Sequence, residues 1–200
     1  MKLFYVPTSP YARMARVTLR ERGLSGRIEE VVVTVRTPEN EVLRHNVLGM
    51  VPTLLLEDGT ALGESSLVCE YLDAWPGEPQ LFPRAAPPAW RARELLGFAK
   101  GLMDSLALRM RELRRPENER SPRALAYEAE RAQRAYAALE ARATVLDGVL
   151  DIGHIALGCT LAFADHRLPV DDWRRDRPAL AAWYDRIAAR IAMKETAPPV

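Results

Sequence analysis

Ser9 is the residue whose type and position most strongly suggest chemistry, because Pro10 follows it directly. Serine is a preferred helix N-cap and proline a preferred first helical residue, so the pair predicts that a helix begins here. The backbone N–H groups and the positive dipole end of a helix N-terminus favour an anion beside the serine hydroxyl. Ser9 is therefore either a plain helix cap or a residue that stabilises a bound anion.

The histidines and cysteines do not form a second candidate site. His45, His154 and His166 show no metal-ligand spacing with each other or with either cysteine. Cys69 and Cys159 lie far apart in apolar helical patterns, where a cysteine usually packs as a small core residue. We therefore expect no metal ion, and we expect a reducing compartment.

The bulk composition restricts the class of protein. The chain has 200 residues, of which 48% are hydrophobic, so it can bury a core as one large domain or two small ones. Its net charge of +1 gives no indication of a nucleic acid or an acidic membrane surface as partner. No stretch reaches the roughly 18 apolar residues of a membrane helix, and the N-terminus has no signal-peptide pattern. We expect a cytoplasmic protein.

The elements that must position Ser9 alternate between strand and helix. The pattern predicts a strand before the Ser9 turn, a helix after it, a second strand, a short helix, a hairpin with an Asp58-Gly59 turn, and a further helix capped by Ser65-Ser66. The predicted buried stripe of that last helix is Leu67, Val68, Tyr71, Leu72 and Trp75. The predicted ranges are 2–6, 10–22, 28–35, 37–46, 53–57 with 60–62, and a start at 65.

A proline-rich segment separates this α/β part from a helical part. Prolines crowd residues 75–88, which predicts a linker, and the Leu81-Phe82 pair within it is expected to dock on a core. Beyond it, apolar residues recur at three- and four-residue steps in several amphipathic helices, while residues 152–164 are apolar nearly all round. The last helix opens at Pro178, and its predicted inward residues are Leu180, Trp183, Tyr184, Ile187 and Ile191. The tail from Thr196 is predicted to end the structure.

Several motifs, taken together and in order, resemble those of bacterial cytosolic glutathione S-transferases. The resemblance implies an α/β thioredoxin-like domain with a mixed four-stranded sheet at residues 1–76, a linker at 77–88, and an all-helical bundle at 89–200. The motifs are SPYAR at residues 9–13, LGMVPTL at 48–54, GESS at 63–66, YLD at 71–73, LFP at 81–83, DIGHIALGC at 151–159 and PALAAW at 178–183.

The resemblance implies that glutathione binds to the first domain. The backbone of Val51 would pair with the cysteinyl part of glutathione like an added strand, and Pro52 would be cis. Glu64 and Ser65 would hold the γ-glutamyl end. Ser65 would cap a helix whose N-terminus binds the carboxylate, and Glu64 would accept from the α-ammonium group.

The same resemblance gives Ser9 a catalytic role. Ser9 stands where glutaredoxins keep the first cysteine of their Cys-Pro-Tyr-Cys motif, and its hydroxyl would donate a hydrogen bond to the glutathione thiolate, as in serine-type members. Tyr5 is a competitor, because some classes use a tyrosine on this strand. Tyr11 could line the site. Asp104, on the first long helix, would touch glutathione, order a dimer interface, or simply lie exposed.

Two positions depart from the family pattern. Met50 stands where the family often has a basic residue for the glycine carboxylate, so glutathione affinity is expected to be lower unless His45 or Arg13 substitutes. The N-cap pair of the buried helix is Asp151 and His154 rather than Ser or Thr with Asp. His154 can accept from the cap amide only if it is neutral and well oriented.

The predicted function is a cytoplasmic, homodimeric glutathione transferase of the detoxification type. It would add the glutathione thiolate to a small hydrophobic electrophile, with glutathione as co-substrate and peroxidase activity as a further reaction. The alternative is a non-catalytic glutathione-binding or regulatory protein on the same fold, because fold alone does not decide function.

Overall fold

The computed structural model describes residues 1–199, which form two compact units. The first unit contains residues 1–86 together with residues from 191 onward, and the second contains residues 87–190. Within the described residues, no helix combines the length and the apolar character needed to cross a membrane.

The first unit is a four-stranded mixed sheet with helices. The strand order is β2-β1-β3-β4, with β1 parallel to β2 and antiparallel to β3, and β3 antiparallel to β4. The elements are β1 (Lys2–Tyr5), α1 (Pro10–Glu21), β2 (Glu29–Val32), a 3₁₀ turn (Glu41–Arg44), β3 (Thr53–Leu55), β4 (Ala61–Gly63) and α2 (Ser65–Asp73).

The central strand β1 is buried on both faces. Leu3 and Phe4 are successive residues with almost no exposed surface, so side chains on opposite faces of the sheet are both covered. Phe4 packs with Val33 and Val42, and Val42 comes from the 3₁₀ turn. The helices α1 and α2 pack against each other. The sheet is therefore the middle layer of the first unit, and the loops leave it at the ends of its strands.

A buried ion pair fastens the segment that follows α2. Arg22, just after α1, lies 3.3 Å (Nε) from Asp73 Oδ1 and donates to the carbonyls of Trp75, Gly77 and Pro79. The Asp73 carboxylate accepts from the backbone N–H groups of Leu81 and Phe82, at 2.7 and 2.9 Å. Both residues are buried, which confirms the prediction that this pair docks on a core.

The second unit is all-helical. It contains α3 (Pro88–Leu113), α4 (Pro122–Ala141), α5 (Ile152–Arg167) and α6 (Pro178–Ala188), with 3₁₀ turns between them. From Ile152 to Ala164, α5 is buried on every side, as its all-round apolar sequence predicted. It packs closely on α3, because a Cβ atom built at Gly153 would lie 2.7 Å from Leu95 Cβ and 2.8 Å from the carbonyl oxygen of Ala92.

The N-terminus of α5 is capped by a reciprocal pair. Asp151 Oδ1 accepts from the His154 backbone N–H at 3.1 Å, and His154 Nδ1 lies 3.3 Å from the Asp151 backbone N and 2.7 Å from Oδ1. His154 Nε2 lies 2.9 Å from the carbonyl oxygen of Leu146, which also accepts from Trp183 Nε1. A neutral imidazole protonated on Nε2 can accept from the cap amide here, whereas a protonated one donates to Asp151.

The environment raises the pKa of His154. Burial by itself lowers the pKa of His154. The hydrogen bond and charge of Asp151, together with the Leu146 carbonyl, outweigh burial and raise that pKa above its ordinary value.

Some element boundaries predicted from the sequence were wrong. The strand predicted at 28–35 is Glu29–Val32, and the helix predicted at 37–46 is only the Glu41–Arg44 turn. The reason for the latter is a local cap, since Asn40 Oδ1 accepts from the Val42 backbone N–H at 3.1 Å and starts the turn there. Glu64 rather than Ser65-Ser66 is the N-cap of α2, and Leu67, predicted to be inward, is exposed.

The C-terminal end also differs from the prediction. The last predicted helix is interrupted after Ala188, and a short helix α7 (Ile191–Glu195) follows. Because the break changes the helical phase, Ile191 is 74% exposed, while Ala192 and Met193 are buried instead. Thr196, predicted to lie beyond the folded part, is also buried. The domain division 1–76, 77–88 and 89–200 stays a prediction, and α7 belongs to the first compact unit.

Gly153→Ala is expected to destabilise the second unit by about 1–3 kcal/mol, because the added methyl group overpacks the α3–α5 contact. Gly101→Ala is the matched control, because Gly101 is an exposed residue of α3 and no atom lies within 4 Å of the added Cβ. It should raise stability by about 0.5–1 kcal/mol through helix propensity. Urea unfolding measures both changes, and an unchanged or more stable Gly153→Ala protein would contradict the packing described.

His154 should make stability pH-dependent in one direction. Its pKa is raised in the folded chain, so protonated His154 contributes its full stabilisation below the unfolded pKa of about 6.5, and the contribution is lost as the pH rises through the folded pKa. The free energy of unfolding of wild type relative to His154→Gln should therefore fall as the pH rises from about 6.5 through the raised pKa of His154. Urea titrations at several pH values measure it, with exposed His45→Gln as control. A pH-independent difference would refute the assignment.

Candidate functional site

The N-terminus of α1 has the geometry predicted from Ser9-Pro10. Ser9 is an extended N-cap whose Oγ accepts from the Ala12 backbone N–H at 3.2 Å, and Pro10 is the first helical residue. The Ser9 backbone N–H donates to the Val6 carbonyl at 2.9 Å, which closes the turn between β1 and α1. Because Oγ acts as the acceptor in the cap, the hydroxyl proton can still be donated to another group.

A second segment of the site precedes β3. The peptide bond between Val51 and Pro52 is cis, as predicted. Strand pairing begins at Thr53, so Val51 stands two residues before the first paired residue of β3. Thr53 Oγ1 donates to the Met50 carbonyl at 2.7 Å and accepts from Asn46 Nδ2 at 2.9 Å, which holds this turn in place.

The third segment is the start of α2. Glu64 has a positive φ of 79°, a conformation that is costly for a residue with a side chain, and its carboxylate caps the helix. One carboxylate oxygen accepts from the backbone N–H groups of Ser66 and Leu67 at 3.0 and 3.1 Å, and the other accepts from the Ser65 hydroxyl at 3.1 Å. Two of the helix amides predicted to bind an external carboxylate are therefore bonded to Glu64.

Sheet topology brings these three segments to one edge. Phe4 of β1 is paired with Thr53 of β3, and Thr53 is paired with Gly63 of β4. Because the neighbouring strands are antiparallel, the end of β1, the start of β3 and the end of β4 lie side by side. Strands are about 4.8 Å apart, so the turns of Ser9 and Glu64 leave the sheet about 10 Å from each other, with Val51 between them.

The ring of Tyr5, the competing residue, is covered by a different neighbour. The Arg16 guanidinium lies 4.1 Å from the centre of the Tyr5 ring, and Arg16 pairs with Glu30. Burial raises the pKa of Glu30, but hydrogen bonds and charges from Arg16 and Arg20 outweigh it, so that pKa lies below its ordinary value. Arg16 follows Ser9 by seven residues, about 10 Å along the helix.

The remaining predicted residues differ in their exposure and in the element on which they lie. Tyr11 lies in the first turn of α1 and is partly exposed, next to Ser9 in sequence. Met50 is 60% exposed beside the cis bond. Asp104 is an exposed residue of α3 in the second unit. His45 is exposed and stacks on the Phe4 ring, with 5.3 Å between ring centres.

Arg13, which the sequence suggested as a substitute for a basic residue at position 50, contacts the C-terminal end of the chain. Its guanidinium is buried and donates to the Met193 carbonyl at 2.8 Å and to Thr196 Oγ1 at 3.4 Å. Its substitution for the missing basic residue at position 50 stays a prediction, with Nε and Nη2 bound to the C-terminal end of the chain.

Sequence reasoning missed the side chains that support the cis turn. Asn40 Nδ2 donates to the Gly49 carbonyl at 2.9 Å, and Asn46 bonds to Thr53. Gly49 has a positive φ of 58°, and a Cβ there would lie 2.8 Å from Asn40 Nδ2. The glycine directly before the Met-Val-Pro segment was the signal that could have indicated a left-handed turn held by neighbouring side chains. Among residues 1–199, no cluster of three His, Cys, Asp or Glu side chains is arranged to hold a metal ion.

Comparison with protein families agrees with this architecture. Residues 8–75 match the family model described as the glutathione S-transferase N-terminal domain. Residues 88–186 match the one described as the C-terminal domain. Together the two matches contain all three segments of the candidate site and the helices of the second unit.

Individual relatives match over their full length. A GST-like protein of Escherichia coli K12, YibF, described as uncharacterised, is 29% identical over 100% of this chain and 99% of its own. A glutathione transferase family member of Pseudomonas fluorescens Pf-5, solved with bound glutathione, is 35% identical and has a TM-score of 0.95. The match covers 100% of this chain and 99% of that one. A Methylobacillus flagellatus KT glutathione S-transferase with glutathione bound is 30% identical with a TM-score of 0.93, over 99% of each chain.

Ser9→Ala is expected to cost about 0.5–2 kcal/mol of stability without any ligand, because α1 loses its N-cap. The chain offers a matched control at the start of α4. There Ser121 precedes Pro122 and its Oγ accepts from the Ala124 backbone N–H at 3.2 Å, the same distance as in the Ser9 cap. Ser121→Ala should therefore lose a similar amount. Thermal unfolding measures both, and a Ser9→Ala protein as stable as wild type would contradict the capping role.

Proposed function

The chain belongs to the glutathione S-transferase family, and on that premise we propose that it is a glutathione transferase with Ser9 as its catalytic residue. The hydroxyl of Ser9 donates a hydrogen bond to the glutathione thiolate, which attacks a small hydrophobic electrophile. Glutathione is the co-substrate, and glutathione peroxidase activity is a further reaction of the same thiolate.

The convergence of three segments at one sheet edge carries this proposal. The Ser9 and Glu64 turns lie about 10 Å apart with Val51 between them, and at about 3.3 Å per extended residue one tripeptide is long enough for its cysteinyl thiol and its γ-glutamyl end to reach both turns. Both glutathione-bound structures named above are similar to this chain over nearly all of its length. A glutathione molecule laid along this edge would reach all three segments.

Each part of glutathione then has a partner of matching chemistry. The cysteinyl residue pairs with the backbone of Val51, which precedes the paired part of β3 and so can take an added strand. The Glu64 carboxylate accepts from the α-ammonium group in addition to capping α2, and Ser65 contacts the γ-glutamyl end. The thiol lies at the N-terminus of α1, where Ser9 and the helix dipole both favour negative charge.

The energies required are within reach of this site. A thiol with a pKa of about 8.5 is only a few per cent ionised at pH 7, and lowering that pKa by about two units requires about 2.7 kcal/mol. A hydrogen bond to a charged group supplies about 1.5–3 kcal/mol. A helix N-terminus adds about 0.3–1 kcal/mol. Ser9 on α1 can therefore activate the thiol with neither a metal ion nor a general base.

Ser9 is preferred over Tyr5 for a local reason. The Tyr5 ring is covered by the Arg16 guanidinium, and Arg16 is itself held by Glu30. The Ser9 hydroxyl, by contrast, is a cap residue at the positive end of α1. Tyr11 lines the site beside it.

We further propose that the protein is a cytoplasmic homodimer with a detoxifying role, divided into a glutathione-binding domain (1–76), a linker (77–88) and a helical domain (89–200). Large apolar side chains are exposed in the first unit near the cis turn, which supports association with a second copy. They are Leu43, Val47, Leu48 and Met50. Asp104, exposed on α3, is a candidate contact of glutathione or of the partner subunit.

A non-catalytic glutathione-binding protein is the second candidate, and Met50 is the observation that favours it. A thioether cannot pair with the glycine carboxylate as a basic residue would. Arg13 is bound to the C-terminal end, and His45 stacks on Phe4. Weaker binding of the glycine end would leave a site for glutathione without efficient turnover.

The deciding measurement is the pKa of the bound glutathione thiol, followed by ultraviolet absorbance of the thiolate against pH, with affinity from calorimetry. In wild type it should lie well below that of free glutathione. Ser9→Ala should raise it by about one to two units, the value of one hydrogen bond to a charged group. Ser121→Ala loses an equivalent cap and should leave it unchanged, as should Tyr5→Phe.

The alternative outcomes assign different functions. Binding of glutathione with an unshifted thiol pKa in wild type would support the non-catalytic binder. A shift that is lost in Tyr5→Phe and kept in Ser9→Ala would move the catalytic role to Tyr5. Absence of binding at millimolar glutathione would refute both the transferase and the glutathione binder.

A further inference from the structure

The C-terminal strap, residues 191–199, contains a helix that is too short to be stable by itself. Helix α7 has five residues, whereas isolated helices shorter than about 12–15 residues are marginal in water. Ala192, Met193 and Thr196 are nevertheless buried. The strap belongs to the first unit and packs on α1, so its order comes from that helix.

Arg13 of α1 is the main polar anchor of the strap. Its guanidinium donates from Nη2 to the Met193 carbonyl and from Nε to Thr196 Oγ1. Thr196 Oγ1 in turn donates to the Ala192 carbonyl at 2.7 Å. Both carbonyls belong to α7, and the C-terminal end of a helix favours a cation.

An ion pair between α1 and the strap lies two helical turns farther along α1. Arg20 Nε donates to Glu195 Oε2 at 3.1 Å, and the other side of the Arg20 guanidinium pairs with Glu30. Glu195 is largely exposed, so this pair contributes little stability. Arg13 is only 8% exposed, and a buried guanidinium deprived of its acceptors is strongly unfavourable. The buried contact is therefore the one that holds strap and helix in register.

The same arginine is joined to Ser9 through the backbone. The Arg13 backbone N–H donates to the Ser9 carbonyl at 2.9 Å, which closes the first turn of α1. In the same turn, the Ala12 N–H donates to Ser9 Oγ. If Arg13 lost its partners on the strap, its guanidinium would have to move to find others. That movement would displace the first turn of α1, which carries Ser9. Catalytic hydrogen bonds tolerate only about 0.5 Å of displacement.

We propose that Arg13 is a positioning residue for Ser9 and that the strap, through Met193 and Thr196, holds Arg13 in place. This inference rests on the proposed role of Ser9 towards glutathione. It makes Met193 and Thr196 supports of the glutathione site, although most of the sequence separates them from Ser9.

The test perturbs the anchor from the side of the strap, so that the sequence of α1 is unchanged. Thr196→Val removes the hydroxyl at nearly constant shape, Thr196→Ser keeps it, and Arg13→Met removes the guanidinium. Lys194→Met, an exposed position of the same strap, is the control. The pKa of bound glutathione, measured by thiolate absorbance at saturating glutathione, is the readout, with circular dichroism to establish folding.

We expect Thr196→Val and Arg13→Met to raise the pKa of the bound thiol by about half a unit to one unit, a roughly three- to tenfold loss in the ionisation constant. Thr196→Ser and Lys194→Met should keep the wild-type value. If Arg13→Met does not fold, Thr196→Val decides.

Two failures are distinguishable. A depressed pKa in wild type that stays unchanged in folded Thr196→Val and Arg13→Met, even with a lower melting temperature, would make the anchor merely structural and overturn the inference alone. An undepressed pKa in wild type would overturn the role of Ser9 and the inference together.

Discussion

The pairing of β3 between β1 and β4 is the constraint on which the site depends. Thr53 faces Phe4 on one side and Gly63 on the other, and both pairs are antiparallel. A slip of one residue in either register would turn Leu54 away from the core and move the cis turn relative to Ser9. Thr53 also bonds through its side chain to Asn46 and to the Met50 carbonyl, so one buried residue links the ladder to the turn. Sheet stability and site geometry are thus coupled at the same position.

Helix α1, which begins at Ser9, is connected to the rest of the first unit through its arginines. Arg13 binds the strap, Arg16 and Arg20 bind Glu30 of β2, and Arg22, directly after the helix, binds Asp73 and the carbonyls of the proline-rich segment. The guanidinium groups of Arg13, Arg20 and Arg22 each have two or more acceptors, and that of Arg16 has Glu30, so each buried charge has a partner, the condition under which burying a charge is tolerated. The helix that presents Ser9 is therefore fixed at both ends and along its length. A site that acts by positioning and electrostatics requires such rigidity.

The second unit is organised around the buried helix α5. Its close approach to α3 at Gly153 and its cap by Asp151 and His154 both act at its N-terminus. Where His154 stands in place of a capping carboxylate, the Leu146 carbonyl, 2.9 Å from Nε2, orients the ring. The cost of that replacement is a dependence on protonation that a carboxylate would show only at lower pH.

The sequence by itself determined the fold class, the Ser9-Pro10 helix start, the cis Val51-Pro52 bond, the docking of Leu81 and Phe82, and the all-round burial of α5. These features follow from local rules of capping, periodicity and motif, and from a family resemblance carried by short segments in order. Only the tertiary structure decided that Glu64 rather than Ser65 caps α2, that Arg13 binds Met193 and Thr196, and that Ile191 is exposed while residues after it return to the first unit. The contacts of Arg13 and the return of the last residues to the first unit depend on partners more than a hundred residues away, about which local spacing carries no information. The Glu64 cap depends on the positive φ of Glu64, which local propensity disfavours.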